Sequence, residues 1–117
     1  MGCITVLSKL PILNSHRRDH LVEKVIELKN RLGLHARPAA LFVRLTNQYK
    51  QVKIKVRVLR SEEESEEVDG KSIMGLMMLA AEAGSKLVIK TTGEKDNEQA
   101  ELLTKLEELI TSKFGEE

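Results

Sequence analysis

An α+β sandwich, a small sheet with helices over one face, is the fold class this sequence predicts, on three observations. Residues 52–58 alternate strictly, Val52, Ile54, Val56 and Val58 against Lys53, Lys55 and Arg57. That is a strand with one aliphatic face on a core and one cationic face toward water. Two other stretches, 36–49 and 98–114, repeat their apolar residues at helical spacing instead. Strand-like and helix-like segments follow one another as β-α-β-β-α-β-α, with no internal repeat and no second domain in view. The 117 residues suffice for one modest core, and with 3% aromatic residues aliphatic side chains and alanine must fill it.

Taken in order, Leu21–Leu28 is rich in Val, Ile and Leu with Glu23 and Glu27 on one face, and reads as a half-buried strand. Asn30–Leu34 is a turn. The first helix is expected over Ala36–Tyr49, burying a stripe of Leu41, Leu45 and Tyr49 with Phe42 beside it. After the alternating strand comes the acidic run Glu62–Glu67. Like charges at that density repel, so the hairpin at 61–69 should have a solvated tip, with Val68 and Asp69 returning as a short strand beside Val56 and Val58. Ser72 is a favoured N-cap, because its oxygen can accept from amides of the first helical turn. The helix it opens, Ile73–Ala81, is apolar nearly all round. Either it is wholly buried, or part of it is an exposed docking patch whose methionines adapt to partners. Gly84 ends that segment and Leu87–Thr91 forms the last strand. A turn at 93–97 with Asp96 or Asn97 as cap leads to a helix over Glu98–Phe114, its apolar face being Leu102, Leu103, Leu106, Leu109, Ile110 and Phe114.

Composition narrows the function classes. A net charge of +1 and the absence of interleaved aromatic and basic residues argue against nucleic acid. The single cysteine, Cys3, leaves no internal disulfide and no cysteine-based zinc site, which fits a cytoplasmic protein. His16 and His20 lie four apart, but no acidic or cysteine partner stands at ligand spacing, so no metal is expected. No phosphate-binding glycine loop is present, no cofactor is implied, and no apolar run reaches the roughly 20 residues needed to enter and cross a bilayer. In Met1–Pro11, Lys9 falls where a secretory signal has its cleavage region, and Val6 stands where the myristoylation pattern wants Ser or Thr. Residues 1–20 therefore read as a flexible extension, ending in a polar linker, ahead of a domain at 21–117.

The stretch Gly33-Leu34-His35-Ala36-Arg37-Pro38-Ala39-Ala40 carries the chemistry. A glycine turn delivers His35 to the mouth of a helix, with Arg37 two residues on. Proline suits a first helical turn, where its missing N–H would have no intrahelical partner. The other first-turn amides, Ala36 and Arg37 among them, and the helix dipole make that mouth an anion site. A neutral imidazole in that place is a nucleophile that can hold a covalent intermediate. A phosphoryl group on the ring would face the same amides and guanidinium. By itself the motif also suits an ordinary helix start.

Together with Gly70-Lys71-Ser72-Ile73-Met74-Gly75-Leu76-Met77, this stretch resembles the HPr family, the phosphocarriers of the bacterial sugar phosphotransferase system. The likeness runs from about Leu21 to the C-terminus. It implies an open-faced β-sandwich, a four-stranded antiparallel sheet with three helices on one face. It also implies that His35 takes a phosphoryl group from Enzyme I and gives it to EIIA proteins, with Arg37 beside the phosphate. Ser72 matches a regulatory serine, which brings in a serine kinase/phosphorylase and a transcriptional regulator as partners. Ile73, Met74 and Met77 match the apolar patch on which partners dock. The extension and the lengthened acidic hairpin depart from the family pattern, and Met77-Met78-Leu79-Ala80-Ala81 is similar to its nitrogen-related branch. The rival reading is a regulatory relative that works through partner binding; such relatives lack the active histidine, and His35 is present here.

Overall fold

The structure, a computed structural model, describes residues 20–59 and 66–115. The chain runs β1 (His20–Glu27), α1 (Ala36–Thr46), β2 (Lys53–Leu59), β3 (Val68–Asp69), α2 (Ile73–Met78), β4 (Lys86–Gly93) and α3 (Asp96–Thr111), then one 3-10 turn at Lys113–Gly115. The strands form one antiparallel sheet in the order β1-β4-β2-β3. This is the expected open sandwich. The readings of residues 1–19, and of most of the acidic run, lie outside the described residues.

The core forms where period 2 meets period 3.6. Ile54, Val56 and Val58 of β2 and Leu87 and Ile89 of β4 point to the helices and are buried with Phe42, Leu76, Leu102, Leu106 and Ile110. The opposite face carries Lys53, Lys55 and Arg57 as expected. The registers Glu23↔Lys90↔Lys55 and Val25↔Val88↔Arg57 extend that face across β4 to β1.

Several expectations are corrected. β1 starts one residue early, at His20, and is less buried than its composition suggested. Only Ile26 within it is buried, whereas Leu21 and Val25 are 60% and 52% exposed. The reason is its place: β1 is an edge strand, and those two side chains lie on the uncovered face. α1 stops at Thr46 rather than Tyr49, because Gln48 N and Tyr49 N turn back to the carbonyls of Leu45 and Thr46, a tightened last turn. Its buried face is Pro38, Ala39, Phe42, Val43 and Thr46, while Leu41, Leu45 and Tyr49 are half-buried at the flank. A helix lying between a sheet and a neighbouring helix has two apolar directions, and spacing alone did not choose between them.

α2 ends at Met78, and Leu79 and Ala80 close it with 3-10 bonds to Leu76 and Met77 before the chain turns at Ala80, φ 53°. β4 is longer than expected at both ends. α3 begins at Asp96, not Glu98, with Lys95 as its cap. Asp96 is therefore inside the helix, where it pairs with His20 Nδ1 at 2.6 Å. Phe114 is buried as expected but sits beyond the helix, at φ 55°. β3 pairs Val68 with Val56, as expected, and Asp69 with Lys55, so the return strand does not reach Val58.

Candidate functional site

His35 is the N-cap of α1, in extended backbone, φ −88° and ψ −168°. The capping is done by its carbonyl, which accepts from Ala39 N at 3.0 Å. Pro38 has no N–H to offer, so the amides of Ala36 and Arg37 are the ones that lie ahead of the first intrahelical bond. The His35 side chain is part-exposed; Ala36 and Arg37 are exposed. A partly open imidazole thus stands at the positive end of an eleven-residue helix, two residues from a guanidinium.

The loop before it is fixed largely by backbone. Gly33 has φ 71°, and a Cβ there would stand 2.4 Å from Ala81 O, so glycine is required for both conformation and space. Leu34 N donates to that same Ala81 carbonyl at 2.9 Å. Leu28 N donates to Ser85 O, and Gly84 N to Leu28 O. The connection from α2 to β4 therefore braces the loop that presents His35. One contributor escaped the sequence reading: Asn30, fully buried, whose Nδ2 donates to Gly33 O at 2.7 Å. Asn in a turn is too common to signal burial, and only the fold shows it.

Ser72 caps α2 as expected, its Oγ accepting from Gly75 N at 2.9 Å. The turn ahead of it is tied to the end of α1 and the turn that follows: Thr46 Oγ1 donates to Gly70 O at 2.9 Å, and Lys71 Nζ to Tyr49 O at 2.9 Å. Partial burial pulls the Lys71 ammonium below its ordinary pKa, with Asp69 opposing and Lys50 adding to the fall. The two alternatives for the apolar helix resolve toward exposure. Within α2 Leu76 alone is buried, joined by Leu79 and Ala81 just beyond it; Met74 and Met78 are 72% and 77% exposed, and Ile73 and Met77 are also open. Met78 was not among the expected docking residues. α1 and α2 pack directly on each other, so the helix that His35 opens and the helix that bears the methionines are neighbours.

The family model described as the PTS HPr component phosphorylation site matches residues 22–112. This chain belongs to the HPr family. The phosphocarrier protein HPr of Pseudomonas aeruginosa is 47% identical over 91 residues, which cover 78% of this chain and 92% of that one. The HPr-like protein Crh of Halalkalibacterium halodurans is 41% identical over 83 residues, 71% of this chain and 92% of its own. Among solved structures, an HPr from Bacillus anthracis superposes with TM-score 0.62 at 38% identity, covering 77% of this chain and 96% of its own. One from Thermoanaerobacter tengcongensis gives 0.59 at 43%, covering 82% and 98%. The HPr match takes in both motifs and all three helices, and it begins inside β1, at residue 22.

Proposed function

We propose that this member of the HPr family is a cytoplasmic carrier that accepts a phosphoryl group from Enzyme I on a ring nitrogen of His35 and passes it to EIIA proteins. The observation that carries this reading is a part-exposed histidine at the N-terminus of α1, a helix that packs against α2 with its exposed methionines. Histidine holds a covalent intermediate and so divides one transfer into two. In each half, phosphoryl transfer needs in-line placement and charge stabilisation more than acid–base machinery. The carrier then supplies a nucleophile, the first-turn amides and Arg37, and each partner supplies the rest of the site. Arg37 takes the phosphate oxygens with a planar fork that lysine lacks. Ile73, Met74 and Met77 dock the partners.

Ser72 is the regulatory position in this reading. A phosphate on its oxygen stays at the start of α2, so unfolding is not expected, but it sets negative charge beside the apolar patch and weakens docking. Ser72→Asp should accept phosphate from Enzyme I more slowly than the parent; equal rates end the inhibitory role. The likeness to proteins named Crh favours one second reading, a regulator that works by partner binding, against which His35 stands.

The test is incubation with phosphoenolpyruvate and Enzyme I, followed by EIIA domains of the sugar and nitrogen branches. The carrier becomes labelled with acid-labile phosphate, and one branch removes it faster. A chain that takes no label is the regulator.

A further inference from the structure

We propose that Asn30 is a positioning residue for His35, acting by locking the peptide plane between Gly33 and Leu34; this rests on the reading of His35 as phosphoryl acceptor. That plane is gripped on both edges. Its carbonyl, Gly33 O, accepts from the Asn30 carboxamide at 2.7 Å and from His35 N at 3.0 Å. Its N–H, on Leu34, donates to Ala81 O at 2.9 Å. Gly33 N also donates to Asn30 O at 3.2 Å, so Asn30 closes the same turn with its backbone and with its side chain.

The arrangement answers a specific weakness. Gly33 must be glycine, and glycine is the residue whose neighbouring peptide planes rotate most freely. A rotation of this plane would carry Gly33 O away from His35 N and release Leu34 N from Ala81, and it would re-aim the residue that starts α1. Burying a carboxamide completely costs free energy unless it is well bonded. Asn30 is 0% exposed, although it lies in a surface turn between the exposed Lys29 and Arg31. An apolar side chain of that shape would fill the space without the desolvation cost. What it would not do is hold the Gly33 carbonyl. In-line transfer is sensitive to displacements of about an ångström, so loss of the lock should appear in the chemical step while the docking face is untouched.

The test compares Asn30→Leu, which keeps shape and burial but removes the donor, with Thr91→Val as a control. Thr91 is equally buried and bonds Gln99 at 2.6 Å, in the sheet and away from the His35 loop. Phosphorylation by Enzyme I is followed as kcat and KM, with thermal unfolding of each variant alongside. Asn30→Leu should lower kcat about tenfold or more with KM nearly unchanged, and Thr91→Val should leave both within roughly twofold despite a lower Tm. Parental kcat in Asn30→Leu, or an equal loss in Thr91→Val, overturns the proposal. Hydrogen exchange of the parent reads the lock without any variant and decides the matter if Asn30→Leu does not fold. The Asn30 carboxamide protons and Leu34 N–H should both be protected, and fast exchange of the carboxamide refutes the lock. A parent chain that takes no phosphate on His35 ends the underlying reading instead, and the two failures are distinct because in that one the unmodified protein is silent.

Discussion

The two faces of this sandwich are held by different forces. On the helix side, the loop presenting His35 is fixed by short backbone bonds to the 81–85 connection and by one buried carboxamide. On the open sheet side, order comes from exposed and half-exposed ion pairs. Glu67 bridges Lys90 at 2.7 Å and Arg57 at 3.7 Å, and Glu23 meets Arg57 at 3.6 Å. Buried, directional bonds are costly to break and insensitive to salt, whereas surface pairs contribute about 0–1 kcal/mol and are screened. Precision is therefore concentrated around His35. The open face tolerates change.

Gly33→Ala should break the helix side most severely. The new Cβ meets Ala81 O and the backbone is left-handed, so a loss of about 2 kcal/mol or more is expected in urea unfolding, with slower phosphorylation. Ser72→Ala should cost about 1 kcal/mol by removing the cap of α2, measured the same way, and leave the His35 amide resonance in place. Ala80→Gly should act in the other direction. Ala80 is exposed and holds φ 53°, so relief of that strain should raise stability by somewhat under about 1 kcal/mol. Glu67→Gln on the open face should change stability by less than about 0.5 kcal/mol at low salt, and by nothing measurable in 1 M salt. A large, salt-independent loss there would erase the contrast between the faces. The smallest effect is on Lys71. Its folded pKa lies below 10.5, so the folded state binds fewer protons in that window and stability should rise slightly as pH climbs through it, a slope that Lys71→Met removes.

What was legible in the sequence was what local chemistry decides. Pro38 in a first turn, Ser72 three residues ahead of Gly75 and the alternation of β2 each depend on neighbours a few positions away, and each stands as expected. Choices made by packing were not legible. In α1, Phe42 is buried as expected, but the rest of the stripe turned from Leu41, Leu45 and Tyr49 to Ala39, Val43 and Thr46 because the sheet, which no single helix specifies, set the inward direction. Glu67 reads as part of a repelling acidic run, yet it folds over Arg57 and Lys90, which are remote in sequence. Asn30 looked like any turn residue. Its burial follows from the 79–85 connection crossing beneath the loop, a tertiary fact some fifty residues away.

The central claim concerns one imidazole, and the spectrum of its ring tests it most directly. With histidine-labelled protein, phosphoenolpyruvate and Enzyme I, the ring resonances of His35 should shift to those of a phosphorylated imidazole while those of His16 and His20 stay in place, and His35→Ala should take up no acid-labile phosphate. A His35 ring that does not shift, or a His35→Ala variant that is still labelled, contradicts the account.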